Sequence, residues 1–265
     1  MFVISGSINT SLPGISEIVK LRDAKALVAI AGQQVELGAH MIAPNCGTHL
    51  ESEAEDMEWM VQTLQDNVDV RLGIDSPSAE VQAAGLALIK RGRPLVDSIT
   101  LEKSRIDGIM PLVKRYNAQL IALLHDEKGM PKTVEDRLRV MPKLDKVVEE
   151  YGVDKKDVLL DPLVFPLSVD SENCNIFLET VRRLRCEYPE YSISCGLDNM
   201  SYGLPEPELL NVMMLGMIAG AGQDYVMIKM TPAVSAYLKA LQALTAVDEY
   251  CIEYIEAYRE GALKF

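Results

Sequence analysis

The sequence predicts one (β/α)8 barrel over residues 1–265, and three observations carry the prediction. Short apolar runs alternate with longer amphipathic stretches, strand then helix, roughly eight times along the chain. The strand runs are almost continuously apolar, as expected of parallel strands covered on both faces. No Pro/Ser-rich linker, low-complexity tract or shift in composition divides the chain. Alternation alone also fits an open, doubly wound sheet. The count of units favours closure. So does the first turn, since SGSINTSLPG (5–14) is not the GxGxxG phosphate loop.

FVISGSI (2–8) is the first strand. KLRDAKALVAIAGQQVELGA (20–39) has apolar residues three and four apart and stops at Gly38. HMIAPN (40–45) is the second strand, and SEAEDMEWMVQTLQDN (52–67) opens on Ser52 with Glu55 three later, a capping box. VRLGID (70–75) leads into SAEVQAAGLALIKRG (78–92), whose cationic last turn closes on Gly92. PLVDSI (94–99) and QLIALL (119–124) are the fourth and fifth strands, with no helix marked between them. VEDRLRVMPKLDKVVEEYG (134–152) ends in Gly152, and Pro142 must kink or split it. DVLLDP (157–162), SENCNIFLETVRRLRCEY (171–188), SISCGL (192–197), PELLNVMMLGMIAGAG (207–222) and YVMIKM (225–230) complete the series. The acidic last helix, AVDEYCIEYIEAYREGALKF (246–265), packs across the barrel bottom or between two copies. Met213, Met214 and Met217 are expected in the core, and Trp59 in the core or an interface.

The 265 residues are 48% hydrophobic, enough for a sizeable core, and carry a formal net charge of −13. That charge repels nucleic acid and anionic membranes, so neither is an expected partner. No apolar stretch is long enough to span a bilayer, and the start lacks the basic and apolar regions of a signal peptide. Cys46, Cys174, Cys186, Cys195 and Cys251 are read as reduced thiols of a cytoplasmic protein. With three histidines, no HExxH and no CxxC, no metal site is assigned.

Barrel chemistry gathers where strands finish. Those ends carry Asn45, Asp75, Asp97, His125-Asp126, Asp161 and Asp198-Asn199. Acids converging on one mouth raise one another's pKa and call for a metal, a proton-transfer role or a ligand rich in donors. A pterin ring is such a ligand. Its exocyclic amine and adjacent ring N–H can both be taken by one carboxylate, and an amide can donate and accept. Taken singly, Asp75, Asp97 and Asp161 could each cap a following helix, and Asn199 could be a turn residue. His40 and His49 read as structural, whereas His125 can reach the mouth.

Eight stretches, each at a strand end or loop, resemble one family. They are SINT near the start, NCG (45–47), MEWM (57–60), GIDSP (73–77), DSIT (97–100), KGMPKTVEDRL (128–138), VLLDPLVFP (158–166) and GLDNMS (196–201). Together they resemble the methyltetrahydrofolate:corrinoid methyltransferases of the pterin-binding (β/α)8 superfamily. The resemblance covers nearly the whole chain. It implies that Asp75 and Asp161 bind the pterin and that Asn199 faces N5, the methyl-bearing nitrogen. Asp97 stands where the family commonly has asparagine, with Ser98, Gly196 and Tyr202 lining the same site. The family's glutamine and arginine toward the benzoyl-glutamate tail fall near Tyr202 and Pro207, and neither matches. SGSIN also replaces an acidic and a basic residue before IN.

The implied reaction moves a methyl group between N5 of tetrahydrofolate and the cobalt of a corrinoid. Asn199 stabilises charge at N5, and Asp75 handles the proton. No DxHxxG-type corrinoid motif is present, so the corrinoid is expected on a partner protein docking over an open mouth. The departures point to transfer from methylcorrinoid to tetrahydrofolate, as in methyl-donor demethylation. The resemblance favours a homodimer. The opposite direction, a dihydropteroate synthase and a non-catalytic folate-binding barrel are the alternatives. A synthase needs a basic cluster near the last strands, where this chain offers only Lys229.

Overall fold

The computed structural model describes residues 1–263. Its strands are β1 (Phe2–Ser5), β2 (Met41–Ile42), β3 (Arg71–Asp75), β4 (Leu95–Ile99), β5 (Gln119–Leu123), β6 (Val158–Asp161), β7 (Ser192–Ile193) and β8 (Tyr225–Met227). All pair in parallel, each with its sequence neighbour, and β8 returns to β1. Between β7 and β8 the ladder is reduced to one parallel bridge among the described residues, Gly196 to Met227, with Met227 N–H donating to the Cys195 carbonyl at 2.7 Å, Asp224 N–H to the Ile193 carbonyl at 3.2 Å and Ile193 N–H to the Asp224 carboxylate at 2.8 Å. That bridge closes the barrel.

Strand alternation sorts the side chains. Residues of one parity (Ile4, Met41, Leu95, Ile121, Leu159) fill the barrel interior. Below them, Arg71 donates to Gln119 Oε1 at 2.6 Å, and Gln119 Nε2 donates to the Tyr225 hydroxyl at 3.2 Å. Carrying the parity upward from Gly73, Leu95 and Leu159 reaches Asp75, Asp97 and Asp161. The interior is therefore plugged by apolar side chains, with carboxylates confined to the carboxyl-terminal mouth. Residues of the other parity pack outward against the helices in a larger core.

The helices are α1 (Ile15–Lys20), α2 (Ala24–Glu36), α3 (Glu53–Asn67), α4 (Ala79–Leu88), α5 (Lys103–Arg115), α6 (Val134–Leu138), α7 (Met141–Tyr151), α8 (Asn173–Glu187), α9 (Pro207–Ala221), α10 (Pro232–Leu244) and α11 (Ile252–Arg259). α5 occupies the connection where the sequence marked none. Ile106, Ile109, Met110 and Val113 form its buried stripe, while Gly108 and Pro111 blur the pattern. α10, which the sequence also left unmarked, starts on the Thr231 cap with Pro232 following. Pro142 does split the 134–152 segment: it lies in the first turn of α7, where its missing N–H costs nothing. The capping box falls there too, at Thr133 and Asp136.

The box expected at Ser52–Glu55 does not form. Ser52 Oγ donates instead to Asp56 Oδ2 at 2.9 Å, drawn by a buried carboxylate that also holds His49 and Arg22. α4 ends at Leu88, short of Gly92, because Gln65 substitutes for the next turn. Its Nε2 donates to the Leu88 carbonyl, and its Oε1 accepts from Lys90 N–H. Met214 is buried as expected, but Met213 and Met217 are 59% and 45% exposed on the outer face of α9. Trp59 packs half-buried against the core under Arg22. The C-terminal segment shortens to α11. Val247 and Glu253 share a cavity of about 370 Å³ with Met1, Val3 and His40, so this segment covers the amino-terminal end of the barrel. Lys264 and Phe265 of the expected helix lie outside the described residues.

Candidate functional site

Register brings the acids together. Asp75 on β3 is the direct cross-strand partner of Asp97 on β4, and Asp161 ends β6 two strands further round. None caps a helix. Ser78 caps α4 through Val81 N–H, Glu102 precedes α5, and α8 begins only at Asn173. Burial holds all three carboxyls above their ordinary range. Asp75 is pushed up to about 6, with the negative charge of Glu53 adding to burial and a hydrogen bond from Asn45 opposing it. Asp161 is pushed up to about 7, against the Leu163 N–H, the Arg137 charge and the Gly196 N–H. Asp97 is raised well above its ordinary range, by burial and then by the charges of Asp75 and Asp161. Three such acids do not ionise together, so the mouth presents carboxylates beside a protonated acid.

Asn199 lies in the 3₁₀ turn Leu197–Ser201 that follows β7, the strand next to the one that carries Asp161. Its neighbour Asp198 is the anchor. Asp198 Oδ1 accepts from Asn211 Nδ2 on α9 at 2.7 Å, and Oδ2 accepts from Lys229 N–H at 3.0 Å. With Asp198 tied to two elements, Asn199 is exposed and its amide makes no hydrogen bond among the described residues. A Cβ on Gly196 would lie 3.3 Å from Asn199 Nδ2, so glycine there lets the backbone pass close to both Asn199 and Asp161. The sequence pattern of the pterin binding enzymes matches residues 6–250. The chain belongs to the pterin binding enzyme family.

This pterin binding enzyme is 28% identical to the methylcorrinoid:tetrahydrofolate methyltransferase of Eubacterium limosum over 266 residues, covering 99% of this chain and 98% of that protein. It is 27% identical to the methionine synthase of Mycobacterium tuberculosis over 224 residues, 80% of this chain but only 19% of that much longer protein. Among solved structures it resembles the dihydropteroate synthase of Xanthomonas albilineans with 4-aminobenzoic acid, at a TM-score of 0.70 and 20% identity, covering 94% of this chain and 92% of that one. At that identity the likeness speaks to the barrel alone.

Other residues of the pterin binding enzyme were not singled out by sequence. Arg137 is 1% exposed and donates to the carbonyls of Thr133, Pro162 and Leu163 while lying over the Phe165 ring. It locks the segment after β6 and sets a positive charge behind Asp161. Its only sequence signal was membership of the KGMPKTVEDRL stretch. Gln82 is fully buried on α4, and its Nε2 amine shares its two hydrogens among the carbonyls of Ile74, Ser76 and Asp97, clamping the ends of β3 and β4. A glutamine on a helix face gives no signal of that. Glu53 accepts from Ser76 Oγ at 2.6 Å, placing a fourth carboxylate behind Asp75.

Ser98 hydrogen-bonds the Asp97 carboxylate, and its carbonyl accepts from Arg105. Asp126, read in sequence as one of the converging acids, leaves that group. Arg139 grips it through two hydrogen bonds of 2.8 and 2.9 Å and holds it down at about 2. His125 is half-buried just past the end of β5, and its Nδ1 has no hydrogen-bond partner among the described residues. Tyr202 is 74% exposed beside Asn199. His49 is structural, bonded to Asp56 and Ser16. The cysteines are free, with burial pushing the Cys46 thiol up to about 12.

Proposed function

We propose that this enzyme transfers a methyl group from a methylcorrinoid, carried by a separate protein, to N5 of tetrahydrofolate. The observation that carries the reading is what the strand ends hold together: carboxyls of raised pKa on β3, β4 and β6, and after β7 an Asn199 side-chain amide unpaired among the described residues. Asp161 takes the pterin's exocyclic amine and ring N–H in a fork, and Asp75 and Asp97 take the remaining ring donors and acceptors. The ring plane is thereby fixed with N5 toward Asn199.

N5 of tetrahydrofolate is a secondary amine. Its lone pair attacks the methyl carbon as the carbon–cobalt bond breaks, and that electron pair stays on cobalt, reducing Co(III) to Co(I). N5 is left as an ammonium and must lose its proton. The Asn199 carbonyl stabilises the N5–H as charge develops. Asp75, at about 6, is mostly ionised at neutral pH and accepts the proton through water. The barrel's contribution is alignment of N5 with the axial methyl.

The Eubacterium relative supports this direction by its name and its full-length match. Free thiols support a cytoplasmic setting, and no described helix is long and apolar enough to cross a membrane. The uncharged outer face of α9 supports a homodimer. The test is anaerobic incubation of tetrahydrofolate with free methylcobalamin, following Co(I) absorbance. Turnover by the enzyme, lost in Asn199→Ala while folate binding persists, is the expected result. Folate binding without turnover in either direction would leave a folate-binding barrel.

A further inference from the structure

The tail of tetrahydrofolate poses a problem for this chain. A benzoyl-glutamate carries two carboxylates, and the chain that must receive it has a net charge of −13 and three acids at the mouth. The positions where the family resemblance implies a glutamine and an arginine hold Tyr202 and Pro207, and Pro207 is spent as the first residue of α9. A cation must come from elsewhere if the tail is held at all.

Lys229 has the right position. On β8, Tyr225 and Met227 pack against the barrel interior, and Lys229 continues that parity two residues above Met227. Its backbone N–H is pinned to Asp198 Oδ2, one residue from Asn199. Its side chain is exposed, and its ammonium enters no ion pair or hydrogen bond among the described residues. The Asp198 carboxylate beside it accepts from Asn211 and the Lys229 N–H and feels the Lys229 charge, but it forms no close ion pair with the ammonium among the described residues. Tyr202 adds an aromatic face. It is exposed on fixed backbone, its N–H donating to the Asn199 carbonyl and its carbonyl accepting from Ser168 Oγ at 2.8 Å.

We infer that Lys229 and Tyr202 form the tail subsite, the aryl ring lying on Tyr202 and a glutamate carboxylate meeting the Lys229 ammonium. Lys229 then determines specificity for folates over bare pterins and takes no part in methyl transfer. The inference rests on the folate reading above. A single charge-assisted contact at an exposed position separates ligands with and without the carboxylates by about tenfold.

The experiment is calorimetric titration of tetrahydrofolate and of 6-methyltetrahydropterin, the same ring without a tail, into the unmodified enzyme, Lys229→Met and Lys229→Arg. The unmodified enzyme and Lys229→Arg should prefer the folate. Lys229→Met should bind folate about five- to tenfold more weakly and the pterin unchanged, which also certifies its folding. The preference should shrink with added salt in the unmodified enzyme and in Lys229→Arg, but not in Lys229→Met. An unchanged folate preference in Lys229→Met, or no preference in the unmodified enzyme, overturns the subsite and leaves the folate reading standing. Failure of both ligands to bind the unmodified enzyme overturns the folate reading and the subsite with it.

Discussion

Asp161 and Asn199 are different kinds of residue, and substitution should separate them. Asp161 is 8% exposed, backed by the Arg137 charge and fastened by the Leu163 N–H at 2.8 Å. If it is the fork for two pterin donors, as proposed, it should govern binding. Asp161→Asn replaces one acceptor oxygen with a donor and is expected to weaken folate binding by roughly tenfold or more, read by calorimetry. Asn199→Ala should leave binding within about threefold and slow methyl transfer on the order of a hundredfold, because its amide acts only as charge develops at N5. The raised pKa values also set the pH dependence of binding. Asp161 must be ionised to accept two hydrogen bonds, so affinity should fall as pH drops through about 7. Binding at pH 6.5 should release protons, detectable as buffer-dependent heats. A pH-independent affinity between 5.5 and 8 would contradict this assignment.

At the scale of elements, the site depends on clamps that lie behind it. Arg137 joins α6 to the segment following β6, and Gln82 joins α4 to the ends of β3 and β4. Arg137→Met keeps the volume and strands three buried carbonyls. It should cost about 2–4 kcal/mol of stability, measured by urea unfolding, and weaken folate binding as Asp161 loses its backing. The acids and the asparagine were legible in sequence, because each directly follows an apolar run and a parallel strand fixes its parity. The clamps were not. A side chain that satisfies carbonyls on another element has no periodicity, and nothing in EVQAAG announces that Gln82 turns inward. The same logic explains the boundaries that moved. Ser52 and Gly92 had the right chemistry for caps, but Asp56, one turn on in the same helix, and Gln65, from the neighbouring helix, took over their roles. α5 hid behind Gly108 and Pro111, whose propensities argue against a helix that burial of Ile106, Ile109 and Val113 stabilises.

For the whole molecule, the acids make stability a function of pH with a definite sign. Unfolded aspartates titrate near about 4, whereas Asp75 and Asp161 titrate at about 6 and about 7 in the fold. Between those values the native state holds more protons than the unfolded chain, so stability falls as pH rises. The ligand-free enzyme should lose about 4 kcal/mol between pH 5 and pH 8, seen as a lower Tm, and Asp97→Asn should flatten the trend. Association should follow charge as well. From Leu209 to Gly222 the chain has no ionisable residue, and Leu209, Met213 and Met217 lie exposed four apart on α9. Two copies of an acidic chain meet with least repulsion there. Met213→Lys with Met217→Lys should convert a dimer to a monomer in sedimentation.

One feature of the ring joins these scales. The ladder between β7 and β8 is a single bridge among the described residues, Gly196 to Met227, and Asn199 and Lys229 are carried on either side of it. On the proposed reading, a pterin held by Asp161 on β6 and by Asn199 beyond β7 would be a rivet driven through the weakest stave of the cask. Amide protons of Met227 and Asp224, which guard that gap, should exchange fastest among the strands when the barrel is empty and slow most when it is filled.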